Sequence, residues 1–463
     1  MRIATNMSAL IACNQLRKND KSVAKSLERL SSGYKINSAE DNPVGSSISN
    51  KMKTQLRGLE RANQNASDGI SVVETAEGAL KEITAMLQRV RELAVQGATD
   101  TYSDDDRISI MNEISQLETE IDRISNDTEF NTKSLLNGDL SRNSYTNRSG
   151  ISVTYTSSNV KSGVYYLGVS AATKSELSTT GAMSTITESG TISINGTSVT
   201  VKAGDTFDDV YEKLKDAGDR VDVTISKSGT TGLSMTSNYP GTSYPIQIEA
   251  SSPELAAQLG INGATYTPGK DAVALADEIN MGGSGFSSSA TFTSNGNDIT
   301  VKASGGFEMQ IRIDEGTIDE NGPYRVQCYI LDSGTMTIQL GANTGQEMEI
   351  ELPEVTCKAM KLDKINAYTS GGCQKAISLC DNALSYINKA RSRIGAYENR
   401  LESAISSLNA TEENLTSALS RIEDVDMAKE MTEYTTQNVL SQAATSMLSQ
   451  ANQQPEKVLQ LLQ

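Results

Sequence analysis

The 463-residue chain contains no histidine and no tryptophan, and only five phenylalanines and eight prolines. Without histidine there is no His-based catalytic triad, no His-ligated zinc and no HExxH metallopeptidase motif. With aromatics at 5%, any core must rest on Leu, Ile, Val, Met and Ala. No apolar run approaches the ~18 residues of a membrane span. The first twenty residues hold no apolar stretch of the ~7–15 residues that a secretory signal requires, which predicts a cytoplasmic chain or export by a route needing no cleaved signal. Positive charge is also short: the net charge is −17, so a nucleic-acid backbone is repelled and nucleic acid is not an expected partner. An acidic surface suits solubility and ordered self-association.

Cysteine is scarce and unpaired in pattern. The five cysteines (13, 328, 357, 373, 380) form no CxxC. Cys373 and Cys380 lie seven apart, ~10.5 Å along a helix, too far for a disulfide. They read as small apolar residues in helices. No cofactor or metal is expected.

What is present is helical periodicity at both ends. Ile3, Met7, Leu10, Leu16, Val23, Leu27 and Leu30 make one stripe, with Gly33 as its stop. Asn42-Pro43 reads as a cap plus first helical position. From there Val44 through Ala94 holds the period for ~75 Å, a rod that must pack along other helices. Ser103 with Asp104-Asp105-Asp106 starts a third helix, Arg107 to Ile124. Near the C-terminus, Cys373 to Ile422 runs at heptad-like spacing, and Val439–Gln463 is helical in pattern, with a break expected at Pro455.

The middle is rich in Ser, Thr and Gly. Ile151, Val153 and Tyr155 alternate like a strand. Residues 191–201 read as a hairpin around Asn195-Gly196, a type I′ turn. A short helix from Thr206, a strand at 221–225 and a helix from Ser252-Pro253 complete a small α+β insertion. The expected fold is mostly α: paired N- and C-terminal helices form an elongated coiled-coil-like rod, with a β-rich α+β domain inserted in the middle. The expected divisions are 1–42 with 412–463, 43–175 with 357–411, and 176–356.

The extreme ends carry almost no charge. Ile3–Leu16 has none, and Thr435–Gln463 has only Glu456 and Lys457. A surface helix normally shows a charged outer face. Helices faced with Ser, Thr, Asn, Gln and Ala gain burial only among neighbouring copies. The candidate polymerisation residues are Ile3, Met7, Leu10, Val439, Leu440, Met447, Leu448, Val458, Leu459 and Leu462. A head-to-tail contact whose rotation does not close builds a helical filament.

The segments Leu30-Ser-Ser-Gly-Tyr-Lys-Ile-Asn-Ser38, Gln88-Arg-Val-Arg-Glu-Leu-Ala-Val-Gln96, Phe130-Asn-Thr-Lys-Ser-Leu-Leu-Asn-Gly138, Arg421-Ile-Glu-Asp424 and Ala451-Asn-Gln-Gln-Pro-Glu-Lys-Val-Leu-Gln-Leu-Leu462 resemble motifs of bacterial flagellins. The resemblance implies a flagellar filament subunit for swimming motility. It implies export unfolded through the flagellar type III apparatus, an export chaperone, contact with filament cap and hook-junction proteins, and an extracellular location with no membrane partner. The terminal segments would form an inner tube, the next helices a surrounding layer, and the insertion a solvent-facing domain. Asn42-Pro43-Val44-Gly45 resembles the hook–filament junction protein, which is the alternative. The resemblance also implies recognition by the host toll-like receptor for flagellin, through Gln88, Arg89, Glu92, Leu93, Gln96 and Glu113. At ~100° per residue, Leu87, Val90 and Ala94 share a face while Arg89 and Leu93 lie ~90–130° away. Val90→Asp is therefore expected to unfold the rod and Leu93→Asp to spare it. A catalytic middle would have to use acid pairs such as Asp208-Asp209 or Asp319-Glu320, which read as solvated turn or cap residues. Sugar binding by the middle is a further alternative.

Overall fold

Capping chemistry sets the helix ends. The structure, a computed structural model, describes residues 6–461 except 158, 180–184, 229–231, 276–284, 288, 319–323 and 332; side chains are not described at 275 and 455–461. Helix α1 (Met7–Ser32) opens at Asn6, whose side chain accepts from the Ala9 N–H, and closes at Gly33 in the left-handed conformation (φ 77°). Helix α2 (Pro43–Gly97) opens where Asn42 Oδ1 accepts from the Gly45 N–H at 2.9 Å. Helix α3 (Asp104–Asp127) begins with a capping box between Ser103 and Asp106. Short helices α4 (Phe207–Arg220), α5 (Pro253–Gln258) and α6 (Cys357–Met360) belong to the middle, and long helices α7 (Ser370–Glu423) and α8 (Met427–Leu461) close the chain.

The break expected at Pro455 does not occur, because α8 runs through it. A proline leaves the carbonyl four residues back without its helical donor. That carbonyl, of Ala451, accepts instead from Asn6 Nδ2 at 3.0 Å.

The chain divides into two compact units. The first comprises Met1–Gly69, Ile338–Met348 and Arg400–Gln463. In it α1 runs alongside α8. Its apolar cluster is small: Leu59, Ala62 and Leu408, with Leu415 against them. Gly58 admits close approach, since a Cβ there would stand 2.8 Å from Ala342.

The second unit comprises Ile70–Thr337 and Glu349–Asn399. Here α2 and α7 lie antiparallel, tied by Arg91–Asp381 (2.7 Å) and Glu77–Arg391 (2.5 Å). The period-3.6 stripe is buried as expected: Val73, Ala76, Leu80, Ile83, Leu87, Val90 and Ala94 from α2, and Cys373, Cys380, Ile387 and Ile394 from α7. Gly97 lets the end of α2 meet α7, because a Cβ would stand 2.7 Å from Cys373 Sγ.

Nineteen described strands follow. β1 (Glu129–Phe130) and β2 (Lys133–Ser134) form a two-residue hairpin. β3 (Ser144–Thr146), β5 (Gly163–Ser170), β13 (Val273–Leu275) and β17 (Tyr324–Ile330) make one antiparallel sheet in the order β13-β5-β17-β3. β4 (Ile151–Thr156), β14 (Thr291–Asn295), β15 (Asp298–Ala303) and β16 (Phe307–Ile313) make a second, in the order β14-β15-β16-β4. Alternate residues of both fill one core, including Leu167, Val169, Val326, Cys328, Ile299, Val301, Met309 and Ile311. A separate core is built from β6 (Glu176–Ser178), β9 (Val223–Ser228), β10 (Gly232–Ser237) and β12 (Thr265–Thr267), with β7 (Gly190–Ile194), β8 (Thr197–Val201) and β11 (Ile248–Ala250), closed by α4 and α5. Strands β18 (Met336–Gln339) and β19 (Glu347–Ile350) pair with each other.

The Asn195-Gly196 turn has positive φ at both positions (43° and 90°), as a type I′ turn requires. Two expectations change. The strand expected from Val221 starts at Val223, because Val221 caps α4 and Asp222 turns the chain at φ 57°. Cys328, expected in a helix, lies in β17, where it fills the sheet core.

Candidate interaction surfaces

Among described residues, the only buried side chains of α1 and α8 are polar: Ser26 and Glu430. The candidate positions Met7, Leu10, Val439, Leu440 and Met447 are exposed, Met447 at 61%; Leu448 is half-buried. Ile3 and Leu462 lie outside the described residues, as do the side chains of Val458 and Leu459. The cross-links between the two helices are polar, with Ser441 Oγ donating to Asp20 at 2.8 Å and Arg29 3.8 Å from Glu430. Fully burying one Leu or Met contributes ~1.5–3 kcal/mol, and this pair takes none of it from its exposed positions. An isolated helix is marginal without such burial.

The turns at the other end of the pair are well tied. The Lys35 N–H donates to the Glu423 carbonyl (2.7 Å), and the Val425 N–H to that of Gly33 (3.0 Å). The Glu423 carboxylate, 8% exposed, accepts from Ser49 Oγ at 3.0 Å and from Lys53 Nζ. Asp41 accepts from the Asn37 and Ser38 N–H groups. Its hydrogen bond to Lys25, with those two backbone bonds, holds its carboxyl down at about 2. These contacts were not anticipated, although Glu423 sits inside the Arg421–Asp424 motif.

A second strip lies where α3 returns along α2. Arg89 Nε donates to Glu113 Oε1 at 2.9 Å, and a second guanidinium nitrogen lies 3.5 Å from Glu92. The bond to Glu113 raises the Arg89 pKa further. Gln96 Nε2 donates to the Tyr102 hydroxyl at 3.1 Å. Gln88, Arg89, Glu92, Gln96 and Glu113 are all exposed. Leu93 is not: it is 2% exposed, which corrects its placement off the core face. Arg89 and Gln96, one turn either side of it, are both tied to the α3 side. The buried face of α2 therefore extends round to Leu93 beneath α3. Arg107 fixes the intervening turn, donating to the Gly97 and Thr99 carbonyls at 3.1 Å each.

Other chemistry-bearing groups are structural in their contacts. Asp209 completes the α4 capping box and Asp208 pairs with Lys227 at 2.6 Å; Asp319-Glu320 lies outside the described residues. All five cysteines are free thiols, four of them buried. Burial pushes Cys328 and Cys380 up to about 12, away from the reactive thiolate. Glu118 is more unusual. Burial first, then the charges of Asp363 and Asp122, raises its carboxyl to about 7. The neighbouring Cys357 N–H donates to Asp122 Oδ1 at 2.7 Å.

Residues 3–141 match the model of the bacterial flagellin N-terminal helical region, and residues 377–462 that of the C-terminal helical region. A flagellin of Clostridium tyrobutyricum is 35% identical over 98% of this chain and 100% of its own length. The chain belongs to the bacterial flagellin family. Flagellin E of Vibrio cholerae serotype O1 is 32% identical over 100% of this chain and 99% of its own, and flagellin D of Vibrio anguillarum 31% identical over the same shares. As a flagellin the chain is a structural subunit of the flagellar filament, a component of the extracellular flagellum. Full-length relatives named flagellin do not favour the junction-protein alternative. The solved hook associated protein-3 of Legionella pneumophila matches 82% of this chain and 98% of its own at 12% identity, with a TM-score of 0.30, too slight a likeness to bear on that alternative.

Proposed function

We propose that the chain polymerises by burying the exposed apolar residues of α1 and α8 between neighbouring copies, without enzymatic activity of its own. The observation that carries this is a helix pair whose only buried side chains, among described residues, are Ser26 and Glu430. Met7, Leu10, Val439, Leu440, Met447 and Leu448 supply the contact, with Ile3, Val458, Leu459 and Leu462 extending it. In this reading 1–42 with 412–463 form an inner tube, 43–175 with 357–411 the layer around it, and 176–356 the solvent-facing part. Weak cohesion between the terminal helices suits passage as an unfolded chain through the type III apparatus, with a chaperone holding the C-terminal segment. Cap and hook-junction proteins occupy the two ends of the polymer.

The test is truncation. A chain lacking 1–34 and 430–463 should stay folded and monomeric, while the full chain, seeded, grows tubes visible by electron microscopy. Tubes from the truncated chain refute the reading.

A second role rests on the Arg89–Glu113 pair, which presents an ordered charged strip beside Gln88, Glu92 and Gln96. This strip is the contact for the host toll-like receptor, with Leu93 supporting Arg89 from beneath. Oriented Arg side chains of this kind recur at binding hot spots.

A further inference from the structure

The sheet β14-β15-β16-β4 turns one face into the core it shares with β13-β5-β17-β3. Its other face is polar and lies across a cavity of about 400 Å³ from α6 and α7. Thr293, Thr300, Lys302, Glu308 and Gln310 line the sheet side, and Asn382, Ser385, Tyr386 and Lys389 the helix side. A smaller cavity of about 170 Å³ adjoins it, lined by Arg142, Arg393, Glu351 and hydroxyl groups of β4. Tyr155 and Tyr386 line both, their rings edge-to-face at 5.7 Å. Sheets and helices ordinarily close on each other with apolar side chains. This seam is lined mainly by hydroxyls, amides and charges, a surface that holds water or a hydrated ligand. The larger cavity falls within the ~300–1,000 Å³ of small-molecule sites.

Its charge runs against that of the molecule. Lys361, on the helix side, is answered by Asp298 at 2.9 Å; the other cationic side chains lining the two cavities (Arg142, Arg393, Lys302, Lys389) face three acidic ones (Glu308, Glu351, Glu354), in a chain of net charge −17. The acids do not saturate the cations. Glu308 is shared by Lys302 at 3.7 Å and Lys389 at 3.5 Å, and both lysine side chains stay more than half exposed. Arg393 spans Glu351 (3.5 Å) and the Tyr155 hydroxyl (3.1 Å). Arg142 Nε is buried with no hydrogen-bond partner.

We propose that this cleft binds a small acidic sugar, its ring against Tyr155 and Tyr386, its hydroxyls on Thr300, Gln310 and Asn382, and its anionic group on Lys302 and Lys389. A neutral sugar meets the same hydroxyls and amides but leaves the lysines unanswered. A bare anion uses the lysines alone.

The test titrates the full-length monomeric chain by calorimetry with glucuronate, glucose 6-phosphate, glucose and inorganic phosphate. One acidic sugar should saturate at one per chain, at least roughly tenfold tighter than glucose or inorganic phosphate. Which acidic sugar is tighter identifies carboxylate or phosphate as the source of the charge. The double variant Lys302→Glu, Lys389→Glu should weaken that binding at least roughly tenfold, and Lys227→Glu, in the other β core, should not. Should the double variant fail to fold, Lys302→Gln with Lys389→Gln gives the same reading with less repulsion. The proposal is overturned by no saturation with either acidic sugar, by binding indifferent to the lysine variants, or by inorganic phosphate binding as tightly as the sugars.

Discussion

In the β-rich middle, the chain's own strands close over two apolar cores. Along α1 and α8 no described apolar side chain is fully buried; Leu16, Val23, Leu30 and Leu448 are half-buried. Both regions have regular hydrogen bonding, so backbone geometry does not distinguish them. What distinguishes them is where the apolar side chains find partners. The middle finds them within one molecule. The terminal pair leaves Met7, Leu10, Ile11, Val439, Leu440 and Met447 in solvent, and in the proposed function other copies bury them. On the proposed function, a region that crosses an export channel and then locks into a polymer gains from being poorly cohesive by itself.

The sharpest way to test that division uses α2, which belongs to the cohesive kind over its second half. Leu93→Asp should abolish folding of the helical part of the second unit, or destabilise it by more than ~4 kcal/mol, because an unpaired carboxylate enters a closed core. Val90→Asp should do the same, while Gln88→Asp, on the exposed side, should change stability by less than ~0.5 kcal/mol. Urea unfolding followed by circular dichroism separates the three. A Leu93→Asp variant melting like Gln88→Asp would show that α3 does not cover this side chain.

A smaller effect comes from Glu118, the half-buried acid beside α6. Its carboxyl stands at about 7 in the folded chain against an ordinary 4.5. Between those values the folded state holds a proton that the unfolded state has released. Stability from this group is therefore fully present below ~4.5 and declines as pH rises through ~7, by about 1–3 kcal/mol once solvent access is allowed for. Asp122, Asp363, Cys357, Cys380 and Tyr239 surround it without a cation among them. Glu118→Gln should flatten the stability profile between pH 5 and 8. An unchanged slope in that variant would assign the pH dependence to other groups.

Local order was readable from residues, and long-range order was not. Gly33, Asn42-Pro43, Ser103–Asp106, Thr206 and Asn195-Gly196 each specify their own turn or cap through chemistry within four residues. Leu93 was misplaced because one helical stripe describes one neighbour, and α2 has two. Pro455 was misread because its rescue comes from Asn6, far away in the chain. The core shared by β5 and β17 depends on pairing Tyr166 with Gln327 and Leu167 with Val326, a register that no local pattern encodes. The exposed strip of the candidate surface was legible through Arg89 and Glu113. The clasp at Glu423 was not, since a glutamate in a helix reads as solvated until Ser49 and Lys53 are brought to it.

The smallest effect on the monomer is also the one most informative about the terminal pair. Met447→Ser removes an apolar side chain that is already 61% exposed, so little transfer free energy is lost on one molecule. Monomer stability should change by less than ~0.5 kcal/mol. In a polymer the same position recurs in every copy, and each would forfeit about 1–2 kcal/mol of burial. The critical concentration for growth should therefore rise by about five- to thirtyfold. Sedimentation of seeded samples measures the second quantity and thermal unfolding of dilute monomer the first. A variant that melts earlier yet polymerises at the original concentration would reverse the comparison, placing the partner of Met447 inside the subunit rather than between copies.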